Sequence, residues 1–107
     1  MHPEARNEAR RWNGGGYAEH RALGQMLVVI DELELIGPSG RPPMERRPCW
    51  RHREVPVHRM RAETYEMLYA VFEASRLIAI LSFGRVESQQ DRIDADRLGR
   101  RRLDYWL

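Results

Sequence analysis

Residues 62–83, AETYEMLYAVFEASRLIAILSF, decide how this chain is read. Leu68, Val71, Phe72, Ile78 and Ala79 recur at the three-and-four spacing that places side chains on one face of a helix. Met67, Leu77, Ile80, Leu81 and Phe83 broaden that face. Only Glu63, Glu66, Glu73 and Arg76 bring formal charge, so the spacing predicts a largely buried core helix. Strand pieces at 71–72 and 77–81 are the competing reading. Neither shows strand alternation, and no turn signal separates them.

Outward from that stretch, 107 residues with 42% hydrophobic side chains suit one globular domain, too short for two substantial cores. No apolar run reaches the length of a membrane span. The start, MHPEARNEARRW, carries charge without an apolar leader region behind it, so a cytoplasmic setting is expected. Cys49 is the only cysteine and has no internal disulfide partner. The net charge of +2 is unevenly spread: residues 41–61 hold seven arginines and two acids, whereas residues 23–40 hold three acids and no base. All the basic side chains of the Lys and Arg type are arginine, which suits planar contacts with phosphates or carboxylates and equally reflects a coding bias.

The first sixteen residues read as a flexible arm. Ala5, Ala9 and Trp12 sit at helical spacing, but Gly14, Gly15 and Gly16 interrupt it with a hinge. A phosphate-cradling loop is the sharper reading of those glycines, yet no lysine or full GxGxxG spacing accompanies them. Residues 17–36 predict the first long helix, with Leu23, Met26, Leu27, Ile30 and Leu33 as its apolar stripe and Gly37-Pro38 as its stop. A basic, proline-rich connection follows over 37–61, containing Pro38, Pro42, Pro43, Pro48 and Pro56. Near the end, Ser88 caps a helix starting at Gln89, and Ser88-Gln89-Gln90-Asp91 has capping-box spacing. Ile93, Leu98, Leu103, Trp106 and Leu107 supply its apolar side.

The expected fold is thus mainly α: an arm over 1–16 and one small helical domain over 17–107, whose carboxy-terminal half forms a helix-turn-helix. Such a unit places its second helix in the DNA major groove. Gln89, Gln90 and Arg92 would meet base edges, with Arg85, Arg97, Arg100, Arg101 and Arg102 on the phosphates and Ser88 starting the helix. Arg46, Arg47, Arg51 and Arg53 form a second basic surface, from which exposed guanidiniums would attract phosphates without reading sequence. Trp50 reads better as an anchor for that connection than as a platform for an unpaired base.

From residue 75 to the end, SRLIAILSFGRVESQQDRIDADRLGRRRLDYWL distantly resembles the carboxy-terminal helix-turn-helix of phage Q-type late antiterminators. Ser75, Ile78 and Ala79 fit the start of that pattern, and Arg92-Ile93-Asp94 with Arg97-Leu98 its later part. The resemblance covers about a third of the chain. It implies promoter-linked DNA binding and contact with RNA polymerase.

Other chemistry is thinly signalled. Cys49, His52 and His58 are zinc-type donors without a fourth ligand, so no metal site is expected. A Cys49 nucleophile lacks a complete supporting arrangement, and Glu63, Glu66 and Glu73 read as a polar stripe beside the core helix. The functional expectation is a small, non-enzymatic, DNA-binding transcriptional regulator of phage or prophage type, needing no cofactor, with duplex DNA as partner. The alternative is an inhibitor or adaptor that binds protein, or a homodimer, through its apolar helical surface.

Overall fold

Tyr65, Met67, Tyr69 and Val71 point to one side of residues 65–72, and Glu66, Leu68, Ala70 and Phe72 to the other, a repeat of two that belongs to a strand. The computed structural model describes residues 1–36 and 47–107. Its elements are α1 (Pro3–Asn13), α2 (Tyr17–Ile36), β1 (Trp50–His52), β2 (Val55–Ala62), β3 (Tyr65–Phe72), β4 (Leu77–Arg85) and α3 (Gln89–Leu103), followed by a 3-10 turn, Asp104–Trp106. The strands form an antiparallel meander in the order β1-β2-β3-β4.

The expected mainly α fold is therefore corrected to α+β. The supposed core helix is a hairpin of β3 and β4, in which Tyr65 lies opposite Arg85 and Phe72 opposite Leu77. Both faces of β3 are covered, so seven of its eight residues are buried. A strand buried on both sides reads as a continuous apolar run, which periodicity alone cannot tell from a buried helix. The helix-turn-helix falls with the same correction, because its expected first helix is strand β4.

The turns explain why the strands carried no punctuation. Arg53 and Glu54 join β1 to β2 with φ of 51° and 71°, Glu63 begins the next turn at 58°, and Arg76 ends the third at 54°. These are left-handed conformations that usually call for Gly or Asn, and each costs a bulky side chain about 1 kcal/mol or more. Cross-strand pairing and burial outweigh that local preference.

One face of the sheet holds the larger core. Met26, Leu23 and Ile30 of α2 and Ala5 and Trp12 of α1 pack on Tyr65, Met67, Tyr69, Val71, Ile78, Ile80 and Phe83. Trp12 meets Tyr65 and Phe83 edge-on, with centroids 5.2 and 5.4 Å away. The stretch expected to be an arm is thus, over most of its length, a helix set into the core; His2 caps it by accepting from the Glu4 amide. The other face carries a smaller cluster of Val57, Leu68, Ala70, Ala79, Leu81 and Leu103, with Trp50, Ala95 and Trp106 at its margin.

A bulge in β4 ties the two faces together. Leu68 pairs with Ser82 but Tyr69 with Ile80, so Leu81 is the extra residue. The Leu81 carbonyl accepts from Arg102 at 2.9 Å, and Arg102 makes a two-pronged pair with Glu8, at 2.7 and 3.0 Å. Glu8 also accepts from the Phe83 amide at 3.1 Å, while the His2 amide donates to Ile80 at 2.9 Å. Groups on α1 and α3 thereby occupy backbone positions of the edge strand that would otherwise invite another strand.

Candidate nucleic-acid interface

Helix α3 begins where the sequence places its cap: the Ser88 hydroxyl accepts from the Asp91 amide at 3.1 Å, and Asp91 accepts from the Glu87 amide at 2.9 Å. Acid in the first turn and Arg100 to Arg102 in the last suit the helix dipole. The inward stripe of the helix is Arg92, Ala95, Asp96, Gly99 and Leu103. A β-carbon on Gly99 would stand 3.0 Å from Leu68 Cδ1 and 3.2 Å from the Trp50 ring, so the absence of a side chain lets helix and sheet close together.

Charged side chains fill the gap between this stripe and the arginine side of β2. Glu66, on β3, is 2% exposed. Its Oε2 accepts from Arg92 at 3.2 Å and lies 3.8 Å from Arg61 Nε, while Arg59 Nη1 is 4.0 Å from Oε1. Among the described residues no donor reaches Oε1 itself. Burial pushes the Glu66 carboxyl above its ordinary value; Arg59 and Arg61 pull against that shift, and Asp96 adds to it. Arg59 also donates to Asp96 at 3.0 Å and to the Cys49 sulfur at 3.1 Å. Burial works against the Arg59 charge, but Cys49, Glu66 and Asp96 together raise its pKa.

Trp50 connects the hairpin of β1 and β2 to the helix. Its Nε1 donates to Asp96 at 3.0 Å, and the Arg100 guanidinium lies 4.8 Å from its ring centroid. Further along, His52 Nε2 stands 2.8 Å from Asp104 Oδ1, with Arg53 3.7 Å from the same atom. The His52 hydrogen bond is the main reason the exposed Asp104 carboxyl sits below its usual value. Arg53 of the hairpin and Arg100 of α3, nearly fifty residues apart in sequence, thus lie on the same side of the sheet, whereas Arg51, opposite Pro56, points to the α1–α2 side toward His58.

The expected reading residues do not share a face. Gln89, Gln90, Arg97, Arg100 and Arg101 are exposed, and Gln90 donates to Asp94 at 2.9 Å. Arg92 turns inward to Glu66, whereas Ile93, expected inside, is 42% exposed. Arg102 is buried against Glu8 and is spoken for by structure. Arg85 is exposed, pairs with Glu87 and lies over the Tyr65 ring at 5.4 Å. Of the second basic surface, Arg47, Arg51 and Arg53 are exposed; Arg46 and the Gly37-Pro38 stop lie outside the described residues.

The metal-type donors part company. Cys49 is bound by Arg59 and His52 faces Asp104, while His58 is buried and stacked on Tyr69, with centroids 5.4 Å apart. Among the described residues no group of three potential metal ligands converges, and no helix is long and apolar enough to cross a membrane. Sequence reasoning passed over Arg59, Arg61, Glu66 and Asp96 as a set. The available signal was Glu66, the one carboxylate inside an otherwise uncharged eight-residue run. No family model, curated protein or solved structure matches the chain.

Proposed function

We propose that this protein binds nucleic acid through the arginine-rich side formed by the β1-β2 hairpin and α3, and acts as a small regulator with duplex DNA as a partner. The observation that carries the reading is the Arg100 guanidinium 4.8 Å from the Trp50 ring centroid, with Arg53 beside Asp104 just past the helix, which brings exposed arginines of the hairpin and of α3 together. Contact is with the backbone, since Arg92 is held inside and Gln89 and Gln90 lack the expected companion. Affinity should therefore fall steeply with salt and vary little with duplex sequence. Changing Arg97, Arg100 and Arg101 together to Ala should lower the slope of log affinity against log salt by about 2, at about 0.7–0.9 per phosphate contact. Titrations with duplex DNA, single-stranded DNA and RNA check this; salt-independent binding, or no loss in the triple variant, refutes it.

A second reading is favoured by the Glu66 cluster. A buried carboxyl with a raised pKa, surrounded by three guanidiniums beside a cavity, has the composition of a site that moves protons at a phosphodiester. Glu66 would take the proton from an attacking hydroxyl, which on RNA is the neighbouring 2′-hydroxyl. Arg61 and Arg92 would offset charge on the phosphoryl oxygens as the bond to the leaving oxygen breaks, and that oxygen would take the proton back from Glu66, restoring the carboxylate. Cleavage of labelled strands that is lost in Glu66→Gln would support this reading.

A further inference from the structure

Past the end of α3 the 3-10 turn leaves one aromatic ring outside the core. Tyr105 is 64% exposed, whereas its neighbour Trp106 packs at the margin of the smaller cluster. The exposed ring is nonetheless fixed: it meets Trp106 in a T-shaped contact with centroids 5.1 Å apart, and His2 in another with centroids 5.2 Å apart. His2 is itself anchored, its amide donating to the Ile80 carbonyl and its ring accepting from the Glu4 amide. Folding has already removed the freedom of the Tyr105 ring, so a ligand that covers it loses little more side-chain entropy.

The ring also stands at the end of a line of charge. Arg97, Arg101 and Tyr105 follow at intervals of four along α3 and its 3-10 extension, the spacing of one helix face, and all three are exposed. Four residues of helix rise about 6 Å, close to the step between successive phosphates of an extended strand. The acid next to the ring, Asp104, is engaged by His52 at 2.8 Å and by Arg53 at 3.7 Å. Trp50 is not free to take a base, because its Nε1 donates to Asp96 and the Arg100 guanidinium lies 4.8 Å from its ring centroid.

Resting on the nucleic-acid reading above, we infer that Tyr105 is a stacking platform for one unpaired base, so that this surface prefers single strands to duplex. Phosphates run along Arg97 and Arg101, and the base that follows them lies against the Tyr105 ring. Bases inside a duplex are stacked on each other and present only their edges, so duplex DNA keeps the backbone contacts and lacks this one. Stacking uses the π-face common to all bases, and no preference among them is expected. An anionic lipid surface would also meet arginines and an aromatic ring, but it calls for charges spread around the ring rather than led away from it in a line.

The test uses the unaltered protein with short DNA strands of equal length and charge, one of thymidines and one of abasic residues, measured by fluorescence anisotropy across a salt series. The thymidine strand should bind about tenfold more tightly, the scale of one base stacked on an aromatic side chain, with the same salt slope for both strands. Tyr105→Ala should remove that gap and leave the slope unchanged. Tyr105→Phe should keep the gap within about twofold, because the ring and not the hydroxyl carries the contact. Equal affinity for the two strands with a normal salt slope overturns the platform and leaves backbone binding standing. A gap that survives in Tyr105→Ala overturns the assignment to this residue. Absence of salt-sensitive binding overturns both readings. Binding to phosphatidylglycerol vesicles that Tyr105→Ala weakens, without a gap between the strands, also overturns it and assigns the ring to a lipid surface. The strand comparison needs no variant, so its outcome does not depend on how well one folds.

Discussion

The two faces of the sheet solve opposite problems with the same strand. Toward α1 and α2, β3 presents Tyr65, Met67, Tyr69 and Val71, and the core closes through aromatic and aliphatic contact. Toward α3 it presents Glu66, Leu68, Ala70 and Phe72, and closure depends on Gly99, on Trp50 and on a network of arginines and carboxylates. The first face is built for stability, since apolar burial is tolerant of small errors in geometry. The second keeps charge in a half-dry cleft, where an ion pair is worth little unless every partner is in place. That difference puts the candidate site on the α3 side.

The largest expected effect comes from breaking the link between the faces. Arg102→Ala leaves Glu8 without its partner and the Leu81 carbonyl without its donor, and should cost about 3–5 kcal/mol in urea unfolding. An effect below about 1 kcal/mol would show that α1 and α3 are held by apolar contact alone. Next comes Gly99→Ala on the charged face. Its new methyl group meets Leu68 and Trp50, and overpacking of about 1–3 kcal/mol is partly offset by roughly 1 kcal/mol of better helix propensity. The net loss should be about 1 kcal/mol and should be accompanied by a change in Trp50 fluorescence.

The smallest effect probes the one buried histidine on the apolar face. Burial, then the Arg51 charge, lowers the His58 pKa from 6.5. As pH falls through 6.5, the unfolded chain takes up a proton that the folded chain refuses, so stability present above that pH is lost on the way down to the folded value. Glu66 has the opposite sign: its raised pKa lets the folded chain bind a proton first, in the window just above 4.5, which adds stability as pH falls there. Replacing His58 with Phe keeps the stack on Tyr69, and should flatten the decline in Tm between about pH 7 and pH 5. An unchanged decline would move its origin to His2, whose pKa is also lowered by burial.

Legibility followed how local each signal was. The α2 helix and the Ser88 cap were readable because a 3.6-residue stripe and an Ser-x-x-Asp start lie within a few turns of chain. The β3-β4 hairpin was not, because a strand covered on both faces loses its alternation and because Arg76 closes the turn without glycine. For α3 the helix was readable and its orientation was not. Small and polar residues at Ala95, Asp96 and Gly99 look outward in a sequence, and only a facing Trp50 and Arg59 make them an inner surface.

By itself the sequence determined where apolar material accumulates, where α2 and α3 run, and that arginine carries nearly all the positive charge. Those properties depend on near neighbours along the chain. Tertiary structure alone decided that the most apolar stretch is a pair of strands, that Arg92 and Arg102 are internal, and that Glu66 sits among three guanidiniums. Those outcomes depend on which distant residues cover a given side chain, and no spacing within one segment records its cover.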